Sequence, residues 1–105
     1  MILYHITPKK NLESIFSNGL IPLYRDGLNC LDEKEPVVWL TDDPDYVLEK
    51  QAGDKWIQEN DPVVLSVDCS LLDIKPRIVY DKVCRHEYYY RGIIKQDFGV
   101  CYEQR

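Results

Sequence analysis

The side chains that could take part in chemistry are spread along this chain of 105 residues rather than grouped in one motif. His5 stands in Tyr-His-x-Thr near the start, and Glu87 stands in Glu-Tyr-Tyr-Tyr-Arg-Gly-Ile-Ile near the end. A carboxylate can stabilise developing positive charge and accept a proton from an attacking group. The sequence contains no G-x-G-x-x-G, Walker, H-E-x-x-H or Gly-x-Ser-x-Gly element, which argues against the usual dinucleotide fold, P-loop and hydrolase classes.

The segment around His5 is expected to form a short strand. Because side chains alternate along a strand, Leu3, His5 and Thr7 share one face, and Tyr4 and Ile6 share the other. The pattern predicts one polar and one apolar face. A histidine on such a face has two interpretations, a residue that binds a ligand or one hydrogen-bonded within the fold.

A short helix is predicted after this strand, near Leu12–Asn18. Pro8 suits the first helical position, where Thr7 can cap the helix through its hydroxyl. Apolar residues then recur at helical spacing, and Gly19 supplies the positive backbone angle that ends the helix. The strand and helix together present His5 and Thr7 at an edge.

The second block begins with a nearly continuous apolar run, 36–41, which predicts a central strand covered on both faces. Asp42 or Asp43 is expected to cap a following helix, Pro44–Gln51, with acids at its first turn as the helix dipole favours. Gly53 is expected to interrupt or end that helix. Thr41 and Tyr46 lie nearest the change from strand to helix.

Further strands are predicted at 62–68, 77–80, the tyrosine run after Glu87, and 98–102. Along the tyrosine-rich strand, Glu87 shares a face with Arg85 and Tyr89. Gly92 offers a bend or bulge before the last strand. The length and these elements fit a single domain covering residues 1–105.

Charge is unevenly distributed over a net of −5. Residues 32–61 carry ten acids against three bases, a net of −7, and residues 75–105 carry seven bases against four acids, a net of +3. An acidic middle argues against non-specific duplex binding over the whole surface, since such binding depends on neutralising many phosphates. The charge distribution is still compatible with a local binding site for a pyrophosphate.

The four cysteines are widely spaced and form no C-x-x-C pair, so the sequence indicates neither a zinc site nor a redox dithiol. The count alone leaves disulfide bridges open, but without a secretion signal reduced thiols are expected. No run approaches the ~20 apolar residues that span a bilayer, and no basic segment followed by an apolar one opens the chain. The expectation is a cytoplasmic protein without a membrane partner.

Three blocks in the same order resemble the ADP-ribosyltransferase-like superfamily, which includes the DNA-modifying DarT toxins and the tRNA 2′-phosphotransferases. The first is Tyr-His-x-Thr followed by Asn-Leu-x-Ser-Ile and Gly-Leu-x-Pro. The second is Trp-Leu-Thr-Asp-Asp-Pro-x-Tyr, and the third is Glu87 on a strand that ends in Gly-x-Ile. The resemblance implies an α+β fold of two small, mostly antiparallel sheets that form a cleft, with two short helices.

The resemblance also implies roles for individual residues, with NAD as a substrate and no metal. Glu87 would be the catalytic residue that binds the reacting ribose and orients the acceptor, and His5 would bind the adenosine ribose. Tyr46 would stack on nicotinamide, with the tyrosine run 88–90 offering rival stacking partners. The residues expected to bind the nucleotide are Tyr4, His5, Thr7, Arg25, Thr41 and Tyr46.

The function implied is NAD-dependent transfer of ADP-ribose to a protein or nucleic acid. A 2′-phosphotransferase acting on RNA would use the same cleft but needs several cations, for which Arg25, Arg85 and Arg91 are the candidates. The alternative from another class is a non-catalytic module that binds a nucleotide or a protein. Its motivation is the short chain, the acidic segment and the lack of an obvious phosphate clamp.

Overall fold

Two three-stranded antiparallel sheets form the centre of the structure, a computed structural model that describes residues 1–22, 36–49 and 53–102. The strands in chain order are β1 (Ile2–Pro8), β2 (Val38–Leu40), β3 (Pro62–Asp68), β4 (Lys75–Val79), β5 (Lys82–Tyr90) and β6 (Gly99–Tyr102). The short helices are a 3-10 turn (Lys9–Asn11), α1 (Leu12–Asn18), α2 (Pro44–Val47) and α3 (Gly53–Asn60). The α+β class and the two small antiparallel sheets are as the sequence predicts.

One sheet has the strand order β1-β3-β6 and the other has the order β2-β5-β4. The two sheets meet where Tyr4 of β1 bridges Thr41, the residue that follows β2. The Tyr4 N–H donates to the Thr41 carbonyl at 2.8 Å, and the Thr41 N–H donates to the Tyr4 carbonyl at 2.9 Å. We call this junction of β1 and β2 the seam. It makes β1, β2 and β5 consecutive neighbours across the protein.

One hydrophobic cluster among the described residues packs against both sheets. Its buried members come from β1, α1, β2, β3, the residues just after α1 and β3, and the segment before β6, and they are Leu3, Ile15, Leu20, Val38, Leu40, Leu65, Val67, Cys69, Ile94 and Phe98. Tyr88 and Tyr90 of β5 pack on this core from one face of the second sheet. The opposite face of β5 is therefore left for Glu87 and Tyr89.

The prediction of a polar face on β1 is wrong. Leu3 and Thr7, on the face that includes His5, are buried, whereas Tyr4 and Ile6 are only half-buried. Leu3 lies opposite Val67 of β3 and enters the core. Burial of this face is tolerated because the Thr7 hydroxyl accepts a hydrogen bond from the Asn11 side chain at 3.3 Å.

The first helix is confirmed over Leu12–Asn18, but its predicted beginning is wrong. Pro8 is the last residue of β1, opposite Pro62, and the Lys9 N–H donates to the Asp61 carbonyl at 3.0 Å. This pairing keeps the chain extended as far as Pro8, so Thr7 makes no capping hydrogen bond. A 3-10 turn then leads into α1.

The second helical region is shorter and more divided than predicted. Asp43 is confirmed as the cap, accepting from the Tyr46 N–H at 3.1 Å, and Pro44 opens α2. However, α2 ends at Val47, and the last two residues of the predicted helix, 50 and 51, lie outside the described residues. Gly53 begins a further helix, α3, rather than ending one. Two short helices were predicted, and the described residues contain three α-helices.

No helix among the described residues is long and apolar enough to cross a membrane.

Replacing Gly19 by alanine is expected to destabilise the protein. Gly19 ends α1 at φ 85°, and a Cβ there would lie 2.5 Å from the Ile94 carbonyl oxygen. Backbone strain of this kind costs about 1–3 kcal/mol, so the urea midpoint should fall. Gly99→Ala is the control, because its Cβ would meet only the movable Ser66 side chain and Gly99 has no positive φ. Equal urea midpoints for the two variants would contradict the explanation that Gly19 is required by its positive φ and its closeness to Ile94.

The two described free thiols are expected to differ in reactivity. Burial raises the pKa of the Cys69 thiol and encloses it, whereas the Cys84 thiol is only half-buried and easier for a reagent to reach. Because the thiolate is the reactive form, Cys84 should be alkylated faster than Cys69 in the native protein near about pH 8. Peptide mapping by mass spectrometry after timed alkylation measures both rates. The difference in alkylation rate should disappear in concentrated urea, where the protein is unfolded. A difference that persists there would show that burial in the fold is not its cause.

Candidate functional site

His5 lies at the seam and links the two sheets. Its Nδ1 is 2.8 Å from the carbonyl oxygen of Trp39 on β2. Because a carbonyl can only accept, Nδ1 carries the proton and donates it. The other ring nitrogen, Nε2, is then the acceptor in the neutral ring. The imidazole is thus fixed in tautomer and in orientation by the backbone of the neighbouring sheet.

Glu87 of β5 forms an ion pair with Arg77 of β4. Arg77 Nη1 donates to Glu87 Oε1 at 2.6 Å, with about a fifth of each side chain exposed. The guanidinium carbon of Arg77 also lies 6.0 Å from the centre of the Trp39 ring. Trp39 therefore contacts Arg77 through its ring and His5 through its backbone. The imidazole and the carboxylate are connected by a chain of three contacts.

Aromatic rings and cations cover this face of the second sheet. Trp39 and Tyr89 lie opposite each other in the β2–β5 register, and their rings meet edge to face with centroids 6.0 Å apart. The guanidinium of Arg91 lies 5.3 Å from the centre of the Tyr89 ring. Half-buried aromatic rings with adjacent cations suit a planar, negatively charged ligand.

An irregularity in the β4–β5 pairing presents Glu87. Ile78 pairs with Val83, and Pro76 pairs with Tyr88. Between these pairs β4 has one residue, Arg77, whereas β5 has the four residues 84–87. Within this bulge His86 adopts φ 63°, which is uncommon outside glycine. Bulges with such strain are enriched next to active sites, where they redirect side chains.

The bulge also carries a second polar cluster around Asp42. His86 Nδ1 lies 2.5 Å from Asp42 Oδ1, and the Tyr88 hydroxyl donates to Asp42 Oδ2 at 3.4 Å. The Tyr46 ring packs on the His86 ring with centroids 4.8 Å apart. Desolvation, with the charge of Asp42 and this hydrogen bond, raises the pKa of Tyr88, so its hydroxyl stays protonated. The cluster holds α2, and with it Tyr46, against β5.

The structure brings together most of the elements that carry the predicted site residues. Tyr4 and Thr41 form the seam through their backbones, and His5 spans it. The Thr41 hydroxyl is buried and accepts from the Asp43 N–H at 3.0 Å. Glu87 lies on β5, the strand next to β2. Tyr46 packs on His86.

One predicted residue that the structure describes, Thr7, is not part of this arrangement. Thr7 lies at the far end of β1, where it is buried opposite Val63 and bonded to Asn11. Arg25 lies outside the described residues.

Sequence reasoning missed Arg77 and the Asp42–His86 pair. Arg77 was assigned only to a short strand, and its position opposite Glu87 depends on the hairpin register and the bulge, which no local pattern specifies. The available signal was the alternation of Lys75 and Arg77 along β4, which places two cations on one face of that strand. Asp42 was considered only as a helix cap, a role that belongs to Asp43.

No group of three or more His, Cys, Asp or Glu side chains in the described part of the chain is placed to hold a metal ion.

Comparisons with protein-family models, with curated proteins and with solved structures find no match to this chain.

Proposed function

We propose that this protein transfers ADP-ribose from NAD to a macromolecular acceptor, a protein or a nucleic acid. The observation that supports this most is the adjacency of three strands. β1 carries His5, β2 leads into Thr41, and β5 carries Glu87, and these strands are consecutive neighbours at the seam. The three sequence blocks that resemble the superfamily therefore come from distant parts of the chain to one place. A ligand cleft between the sheets is part of the proposal.

Glu87 has the role of catalytic carboxylate in this proposal. The acceptor attacks the anomeric carbon of the nicotinamide ribose, and the bond from that carbon to nicotinamide breaks with its electron pair moving to the nicotinamide ring. Positive charge develops on the sugar, and the Glu87 carboxylate stabilises it. The proton of the acceptor can pass to the same carboxylate.

His5 and the aromatic residues have binding roles. With Nδ1 donating to Trp39, the second ring nitrogen is the acceptor needed for a ribose hydroxyl. Tyr46 is the proposed partner of nicotinamide. Of the rival tyrosines, Tyr88 and Tyr90 pack on the core, which makes Tyr89 the better alternative.

The test uses NAD labelled on the adenine in one sample and on the nicotinamide in another. The proposal predicts that the adenine label becomes covalently attached to protein or nucleic acid from a cell extract while the nicotinamide label appears as free nicotinamide. A His5→Ala variant that folds should lose both signals. Incorporation of the nicotinamide label, or transfer unaffected by His5→Ala, would contradict the assignment.

A non-catalytic module is the second candidate, and the Arg77–Glu87 ion pair favours it. A carboxylate already satisfied by a half-buried arginine has less need of a substrate partner. This module would bind NAD or ADP-ribose in calorimetry and release no nicotinamide over days with any acceptor. Release of nicotinamide that depends on Glu87 would exclude it.

A further inference from the structure

Arg77 has an unusual environment for a residue that only supports the fold. Its Nε is buried and has no hydrogen-bond partner within the described part of the chain. A buried donor without a partner is costly, and in native proteins such groups are few. The ion pair with Glu87 uses Nη1 and leaves this Nε–H unsatisfied.

The surroundings of Arg77 suit an anionic ligand as well as Glu87. The guanidinium lies over the Trp39 ring, which can hold it in place while its N–H groups exchange one acceptor for another. Arg91, whose guanidinium lies 5.3 Å from the centre of the Tyr89 ring, adds positive charge to the same face. Lys75, which pairs with Tyr89 across the hairpin, contributes less, because its ammonium group forms an ion pair with Asp73 at 3.3 Å. Arginine matches phosphate oxygens with two parallel N–H donors.

We infer that Arg77 binds the diphosphate of the nucleotide and releases Glu87 when it does so. The inference rests on the proposed function. In NAD the nicotinamide ribose is joined directly to the diphosphate, so a residue in contact with the carboxylate that binds this ribose lies next to the nearer phosphate. Exchange of Glu87 for phosphate gives the guanidinium a new anionic partner and removes one cation from the carboxylate that binds the ribose. Without nucleotide, the ion pair keeps Glu87 neutralised.

The test compares Glu87→Gln with the double variant Arg77→Ala/Glu87→Gln. Both variants lack the Glu87 charge, so removal of Arg77 leaves no half-buried carboxylate without its cation. The two variants differ only at Arg77, and any difference in affinity between them is due to that residue. Calorimetry with ADP-ribose is expected to show about 10- to 100-fold weaker binding by the double variant, the range for a lost charged hydrogen bond. Nicotinamide riboside, which has no phosphate, should bind both variants equally. Arg77→Lys in the Glu87→Gln background should recover part of the loss, because it restores the charge without the planar fork.

The outcomes separate this inference from the proposed function. Equal ADP-ribose affinity of the two variants would overturn the role of Arg77 while leaving the transferase proposal intact. If the double variant loses as much affinity for nicotinamide riboside as for ADP-ribose, Arg77 has a structural role, and the inference that it binds the diphosphate is also overturned. If the wild-type protein binds neither NAD nor ADP-ribose, both proposals fail. Thermal unfolding of each variant confirms that the proteins compared are folded.

Discussion

Replacing Glu87 by glutamine is expected to lower the rate of nicotinamide release by about 10²- to 10⁴-fold, the usual contribution of a positioned acid or base. Glutamine keeps the volume of the side chain and can still accept a hydrogen bond from Arg77, but it has no charge to stabilise the sugar. NAD affinity should not fall, because the substitution weakens the ion pair that Arg77 exchanges for phosphate, so the loss should appear in kcat and not as a rise in KM. Measured under saturating NAD, nicotinamide release gives kcat directly.

Glu13→Gln is the matched control for this variant. Glu13 is an exposed residue of the first turn of α1, so the same chemical change there should leave the rate unaltered. Loss of activity in both variants would point to the general charge of the protein rather than to one carboxylate. Full activity of Glu87→Gln would remove Glu87 from the mechanism.

Replacing Leu65 by alanine is expected to destabilise the protein by about 2–5 kcal/mol. Leu65 is fully buried on β3, lies opposite His5 in the pairing with β1, and belongs to the core. Truncation removes apolar contacts and leaves a cavity, because neighbouring strands cannot close over it. In a domain of this size each kcal/mol lowers Tm by roughly 4–8 °C, so the expected fall in Tm is roughly 8–40 °C.

Leu71→Ala makes the same change at a position that is 98% exposed. Its effect on the free energy of unfolding should stay within about 0.5 kcal/mol. Chemical denaturation followed by the fluorescence of the two tryptophans measures both variants. Similar losses in the two variants would contradict the placement of the core.

Helices and strands that are specified by patterns of neighbouring residues were predicted correctly from the sequence. Helix α1 has apolar residues at helical spacing and a glycine at its end, and the predicted range Leu12–Asn18 was confirmed, although the predicted start at Pro8 was wrong. Asp43 before Pro44 is a strong start signal, and the cap was confirmed. The alternating residues of β3 and the tyrosine run of β5 also became strands, because β-branched and aromatic side chains fit a half-buried sheet.

Features set by distant contacts could not be predicted in this way. Pro8 has the chemistry of a first helical residue, yet pairing with Pro62 keeps it in β1. Gly53 is a poor helix residue, yet it begins α3. The bulge that places Arg77 opposite Glu87 depends on a change of register between two strands, which leaves little trace in either strand alone.

The most direct test of the central claim is an amide NMR titration of isotope-labelled protein with NAD. In one sample, amide signals report where the nucleotide binds and proton signals of free nicotinamide report whether it reacts. We predict that the largest shifts fall at the seam and the bulge, at His5, Thr41 and Glu87, and that free nicotinamide accumulates. Shifts confined to the exposed hairpin tip at Tyr80, or no shifts and no nicotinamide, would contradict it.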